Sequence, residues 1–352
     1  MSESLAPPVG HDLLKTLLEA EGLIFLGVAS VGADTALAKA RYRELLEEGR
    51  HGTMSWMERH EAMKYDPAAA VPGTKCLILA GLNYYQPRTD LENQAKVARY
   101  AWGRDYHKVM LGKLKQVARK LAIAFPGNEF RAFTDTSPID ERFWVQEAGA
   151  AFTARNTLSI RAGVGSWFLL GEIFSPISME ATPKQDHAHG SCPSSCHRCA
   201  AVCPTGALDT NGSIDARKCI SYLTIEHKGS IEPELRPLMG NWLFGCDLCQ
   251  EVCPFNLKAE TTEEPEFLSW KAGSNIELKE ILDLTDETAF TRRFGGSPVH
   301  RAGFQGLRRN ACIVAGNGHH TELVPTLKRL TSENDEVVAQ AAAWALERLR
   351  SN

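Results

Sequence analysis

No stretch of this chain is apolar for long enough to cross a bilayer. Its start, MSESLAPPVGHDLLKTLLEAEG, lacks the basic segment and apolar run of a secretion signal, and it lacks a twin-arginine pair. These absences set the expectation of a cytoplasmic protein with no membrane partner. There is no excess of positive charge either: 39 Lys and Arg stand against 43 Asp and Glu, a net charge of −4. That argues against wholesale electrostatic binding to nucleic acid, though it leaves room for a local basic face. Cysteine is nearly missing from the first 191 residues, where Cys76 stands alone. In a reducing compartment the ten cysteines of the chain are not expected to form disulfides, so those that cluster are expected to hold a metal or a redox centre.

What is present is sufficient for a large folded core. The 352 residues are 43% hydrophobic and 23% charged, a globular composition whose length suggests two or three units. Residues 1–185 alternate helical and extended patterns. HDLLKTLLEAEG is a helix stopping at Gly22, LIFLGVASV a strand, ALAKARYRELLEEG a helix stopping at Gly49, and KCLILAGLNYY a buried strand. Between His107 and Phe125, Met110, Leu114, Val117, Ala118 and Leu121 share one helical face. Strand FRAFTDT, helix ERFWVQEAG and strand SWFLLGEIF follow. The fold class expected is α+β or α/β, a sheet layered by helices.

Residues 186–260 are rich in Cys, Gly, Pro and Asp and cannot fold on apolar burial alone, so a bound inorganic centre is expected to complete them. From about 275 to 352 the chain is helical. Its end, TELVPTLKRLTSENDEVVAQAAAWALERLR, fits a HEAT-type helix pair or a plain helical hairpin, with Val338, Ala341, Ala342, Ala345 and Leu349 on one face.

Eight cysteines fall into two groups. The first is Cys192-x3-Cys196-x2-Cys199-x3-Cys203-Pro204, and the second is Cys219 followed at a distance by Cys246-x2-Cys249-x3-Cys253-Pro254. The repeated C-x2-C-x3-C-P unit is the bacterial ferredoxin pattern, in which the last cysteine of each run ligates the other cluster. Applied here, one [4Fe–4S] cluster takes Cys192, Cys196, Cys199 and Cys253, and the second takes Cys203, Cys219, Cys246 and Cys249. Two four-thiolate zinc sites are the rival reading, but the duplicated Cys-Pro ending is not a zinc-ribbon feature. The first gap is one residue longer than the ferredoxin norm, which a bulge in the loop can absorb. His187 and His189 read as polar loop residues, and Cys76 and Cys312 as small buried hydrophobes.

Several further segments, ARYAWGRDYHKVM (98–110), FTDTSPIDERFWVQEAG (133–149), ARNTLSI (154–160), GSWFLLGEIF (165–174), CPTGALD, CISYLTIEHKG (219–229) and NWLFGCDLCQEVCPFN (241–256), occur in an order that resembles the epoxyqueuosine reductases. The resemblance runs over most of the chain. It implies a cobalamin beside the two clusters and the two-electron reduction of the epoxide of epoxyqueuosine at the wobble position of tRNA. An epoxide oxygen leaves poorly unless protonated, so a general acid is required near the metal. The resemblance gives that role to Asp135, expected as a carboxylic acid kept protonated by a partly apolar pocket. Read by itself, an Asp before Thr-Ser-Pro is a turn former or helix cap.

The same resemblance makes Tyr106, His107, Asn156, Thr157, Ser166, Ser221, Tyr222 and Asp247 the candidate cobalamin contacts. No Asp-x-His-x-x-Gly motif supplies a cobalt-ligating histidine. The basic run Arg292, Arg293, Arg301, Arg308 and Arg309 is a candidate for holding anticodon-stem phosphates, with a solvated helical face as the alternative, and Lys228 is a candidate substrate contact. The resemblance also implies an external electron donor such as a flavodoxin or ferredoxin, and a monomer is expected. A reductive dehalogenase would share the corrinoid and clusters but usually carries an export leader, and a bare ferredoxin-type carrier would hold no corrinoid.

Overall fold

The structure, a computed structural model, describes residues 10–88, 94–184 and 189–351. The strands among them are β1 (Ile24–Ser30), β2 (Cys76–Asn83), β3 (Ala95–Val97), β4 (Arg131–Phe133), β5 (Phe152–Thr153), β6 (Ser159–Ile160), β7 (Phe168–Ser175), β8 (Trp242–Phe244) and β9 (Asn275–Ile276). The main sheet has the order β1-β2-β7-β4, and every neighbouring pair in it is antiparallel.

The central strand β2 explains why this sheet reads as an unbroken apolar run. Its residues alternate between two cores, as the strand period requires. Cys76, Ile78, Ala80 and Leu82 face one core with Leu14, Leu18, Leu114, Val117 and Leu121, which come from the helices His11–Glu19 and Tyr106–Ala124. Leu77 and Leu79 face the other, with Trp144, Val145 and Ala148 of the helix Glu141–Glu147 and the residue after it. Burial on both faces is the usual mark of a parallel sheet. Here helices cover both faces of an antiparallel one, so the class is α+β and the α/β alternative is corrected. Gly171 in β7 lets the long helix sit close: a Cβ there would meet Leu114 Cδ1 at 2.7 Å and Met110 Cε at 2.8 Å.

A second core lies around the small sheet β8-β3-β9, in which β3 runs parallel to β8 and antiparallel to β9. Ala95, Val97, Trp102, Leu223, Leu243, Phe244 and Ile276 pack there with residues of the helices Phe304–Asn317, Val324–Leu330 and Glu336–Arg350. The C-terminal helices therefore share their core with residues near 100 and near 240. The sequence boundaries at 260 and 275 cut through a common core and do not separate independent ones. Cys76 and Cys312 are both buried, as small hydrophobes are. His187 lies outside the described residues.

Candidate functional site

The cysteine region is held by its own turns and by the sheet domain. Cys196 N–H donates to Pro193 O at 3.0 Å, which closes a turn and takes up the extra residue after Cys192. Arg155 clamps this loop from outside, donating from Nη1 to Pro193 O at 2.6 Å and to Cys196 O at 2.8 Å. Its backbone N–H points at Cys192 Sγ at 3.5 Å.

Four of the thiols share one space. Cys192, Cys196, Cys199 and Cys253 line one small enclosed space together with Asn156 and Phe255. Burial raises the Cys199 and Cys253 thiol pKa values, and the other thiols of that set raise them further. Cys219 feels Cys203, and Cys246 feels Cys249 and Cys219. Cys249 feels Cys219 and Cys203, and also Cys199 across the gap between sets. Buried thiols crowded in this way ionise only with a cationic centre between them. Among the described residues no three His, Cys, Asp or Glu side chains converge in a way that could hold a single metal ion. His189 is not among the residues that line the space shared by Cys192, Cys196, Cys199 and Cys253.

A large cleft of about 850 Å³ opens beside the second thiol set. Cys219, Ser221, Tyr222 and Ile225 form one wall, Thr157, Arg142 and Phe143 another, and Tyr42, Met54, Trp56 and Met57 a third. The Tyr222 hydroxyl is tied to Thr53, whose backbone N–H donates to it at 2.8 Å. Thr157 has the left-handed φ of 65°, and its carbonyl accepts from Arg142 Nη1 at 2.9 Å. Size, apolar lining and a few polar groups suit a large cofactor.

Asp135 stands in the loop after β4, also with a left-handed backbone (φ 55°). Its Oδ2 accepts from Tyr106 Oη at 2.7 Å and lies 3.2 Å from His107 Nε2. The other ring nitrogen of His107 is 2.7 Å from Asp105 Oδ1. Asp105 is the N-cap of the helix that carries both residues, and that cap role is the sequence signal by which it could have been found. Burial works against the charge of His107, but hydrogen bonds to two carboxylates outweigh it and raise its pKa to about 9. Burial pushes the Asp135 carboxyl up, while hydrogen bonds from His107 and Tyr106 and the charges of His107 and Arg301 hold it below its usual range. The expectation of a protonated Asp135 in an apolar pocket is thus corrected. Its side chain is 58% exposed, and the paired shifts, Asp135 down and His107 up, favour the charged form of both. Asp135 is not among the residues that line the cleft; it is linked to the cleft wall through charge, by Arg301, which pairs with the wall residue Glu226, and by the wall residue Lys64.

The cobalamin candidates divide by location. Thr157, Ser221 and Tyr222 line the cleft. Tyr106 and His107 bind Asp135. Asn156 lines the space of the first thiol set and donates to Cys249 O, of the second, at 3.2 Å. Ser166 is buried in a network with Asn256 and Gln250, at 2.7 and 3.0 Å. Asp247 is only 1% exposed and accepts from Arg88, Arg99 Nη1 and Arg99 N–H at 3.0–3.1 Å. It anchors the segment near residue 99 to the cluster loop, with all three donors meeting at its Oδ2.

The basic run is corrected in the same way. Arg309 is 1% exposed and donates to the carbonyls of Leu223, His227 and Gly229. Arg308 is buried against Glu333. Neither guanidinium is available to phosphate, because the helix Phe304–Asn317 is buried nearly all round. Lys228 spends its ammonium on the carbonyls of Ile225, Arg301 and Ala302 at 2.7–3.0 Å. Arg293 pairs with Glu280, while Arg292 is exposed.

Residues 192–256 match the family model described as "4Fe-4S double cluster binding domain", and residues 64–136 match "Epoxyqueuosine reductase QueG, DUF1730". The chain is 36% identical over 361 residues to an epoxyqueuosine reductase of Pseudomonas aeruginosa, covering 99% of this chain and 98% of that one. It resembles a crystal structure of selenomethionine-labelled epoxyqueuosine reductase with a TM-score of 0.86 at 26% identity, covering 96% and 91% of the two chains. A crystal structure of epoxyqueuosine reductase with a tRNA-Tyr epoxyqueuosine-modified stem loop matches with a TM-score of 0.85 at 25% identity, covering 96% and 90%.

Proposed function

The chain belongs to the epoxyqueuosine reductase family, and from that premise we propose how its own residues reduce epoxyqueuosine to queuosine in tRNA. The net change takes two electrons and two protons, removes the epoxide oxygen as water and leaves a carbon–carbon double bond. When bound, a cobalamin supplies a strongly reducing metal for that two-electron step, and two [4Fe–4S] clusters carry the electrons to it from an external donor such as a flavodoxin or ferredoxin.

The observation that carries this reading is a shared neighbourhood. The cleft is lined by Cys219 of one thiol set, and two of its other lining residues, Lys64 and the Arg301 partner Glu226, tie it electrostatically to the Asp135–His107–Tyr106 group. Thr157, Ser221 and Tyr222 would hold the corrin there, with Arg142 and Trp56 in the same walls. The remaining residues manage protons. His107 holds a proton between Asp105 and Asp135, and Asp135 Oδ2 passes it toward the epoxide oxygen. Tyr106 fixes the carboxylate by its hydroxyl.

Substrate RNA must come to the same end of the helix Tyr106–Ala124. Beside its start, Trp270 is 55% exposed among Lys108, Lys271 and Arg104, the last paired with Glu266 at 2.6 Å. An aromatic face with flanking cations suits a stacked base and its phosphates. The helical tail, read as HEAT-like, supports this face through the shared core. Anaerobic incubation of the reconstituted protein with epoxyqueuosine-bearing tRNA and a strong reductant, followed by nucleoside analysis, tests the reading. Queuosine should form; cluster absorption with no corrin bands and no product would overturn it in favour of an electron carrier.

A further inference from the structure

Beneath the Asp135 loop lie two carboxyls that the proton path above does not use. Glu172 projects from β7 and is fully buried, and Glu141 opens the helix Glu141–Glu147. The backbone N–H of Asp135 donates to Glu141 Oε1 at 2.7 Å. The Ser137 hydroxyl donates to Glu172 Oε1. The two carboxyls, gripping Asp135 and Ser137 of the same short loop, lie within hydrogen-bonding reach of each other, and the buried Glu172 Oε2 has no donor among the described residues. Two carboxylates cannot bond each other without a proton between them.

The surrounding groups do not supply a substitute. Glu141 faces Glu172, Asp135, the Tyr106 hydroxyl and the Lys64 ammonium. Lys64 divides its charge among Asp140, Glu141 and Asp135. Glu172 faces Glu141, Ser137 and Asp135. Burial and the neighbouring acids raise both carboxyls, Glu172 to about 7 and Glu141 well above its ordinary value. The loop they grip is strained: Asp135 is held in a left-handed conformation, with Thr134 before it anchored to Leu170 O at 2.6 Å.

We propose that Glu141 and Glu172 share one proton and together latch the Asp135 loop in place, so that they position the proton donor. The proposal rests on Asp135 having that role. With the proton present the pair carries a single charge and four hydrogen-bonding oxygens find partners. Without it two buried carboxylates repel, and the bonds to Asp135 N–H and Ser137 lose their common anchor.

The test uses the reconstituted holoenzyme. Glu172→Gln reproduces the singly protonated pair: its amide donates to Glu141, its carbonyl accepts from Ser137, and the net charge is the same. Glu172→Ala should lower kcat about 100-fold, the scale of a displaced catalytic group, and Glu172→Gln should restore most of it. In pH-difference infrared spectra a protonated-carboxyl band should be present in the parent protein and absent in Glu172→Gln. Equal damage by Ala and Gln, or the same carboxyl band in parent and Glu172→Gln, overturns the latch. If Glu172→Ala fails to assemble clusters, the Gln variant and the infrared band decide alone. Asp135→Asn separates the two readings: the band intact with turnover lost supports both, and the band intact with normal turnover removes the proton-donor role while leaving the shared proton standing.

Discussion

At the scale of single residues, the chemistry concentrates on one hydrogen-bonded group. Replacing Asp135 by Asn keeps the size and most hydrogen bonding of the side chain but removes its capacity to carry a proton. Turnover should fall by about two to four orders of magnitude, the usual worth of general acid catalysis, while cluster and corrin absorption stay as in the parent protein. The pH dependence follows from His107. Its pKa is raised to about 9, so the imidazolium is held through the range where an ordinary histidine would lose its proton, and is given up as pH rises through about 9. Activity should hold to that point and decline above it. In His107→Asn this alkaline limb should vanish from the pH–rate profile while the residual rate drops. A profile in the variant that still bends near 9 would mean that another group sets the limb.

Among elements, the cysteine pattern was the part most readable from the sequence. Ligand spacing within a tight loop is local, and a local pattern survives without knowledge of tertiary contacts. Cys192, Cys196, Cys199 and Cys253, which the spacing groups crosswise despite the longer first gap, line a common space. What was not readable is where a side chain on a helix points when several other elements pack around it. Arg308 and Arg309 looked like a basic face, yet their helix is buried nearly all round; Arg308 pairs with Glu333, and Arg309 satisfies carbonyls of a neighbouring turn. Asp247 and Ser166 sat in the right motifs and face inward for the same reason. Strand direction was equally hidden, because β2 buries both faces whether its neighbours run parallel or antiparallel.

The proposed RNA face belongs to this scale too. Trp270→Ala should raise KM for tRNA by roughly tenfold, since stacking on an aromatic is worth about 1–3 kcal/mol, and should leave kcat nearly unchanged. Arg309→Ala, by contrast, should lower stability by about 3 kcal/mol by stranding buried carbonyls. It should leave the salt dependence of tRNA binding where it was. A weaker salt dependence in that variant would restore Arg309 to the phosphate-binding role.

For the whole molecule, the decisive feature is that the second core is assembled from three distant parts of the sequence. Trp102 follows β3, Phe244 ends β8, and Leu307, Ile313, Val338 and Ala342 come from the C-terminal helices, all in one apolar cluster. The Asn310 side chain, fully buried, donates to Thr224 O at 2.9 Å and Leu243 O at 3.0 Å, so the tail also satisfies backbone that leads into the cluster loops. Those loops carry Cys219 on one side and Cys246 and Cys249 on the other, three of the four thiols assigned to the second cluster. A tail that were merely an RNA-binding accessory could be removed with its loss confined to tRNA affinity. A tail that closes the core cannot. A chain ending before Glu277 should therefore lose the second cluster: iron and sulfide content should fall to that of one cluster or less, the helical circular dichroism should drop by more than the deleted helices contribute, and the remaining protein should aggregate. Full iron content in that truncated chain, with only tRNA binding reduced, would show that the helices are an appendage and that the cluster loops are held by the sheet domain alone.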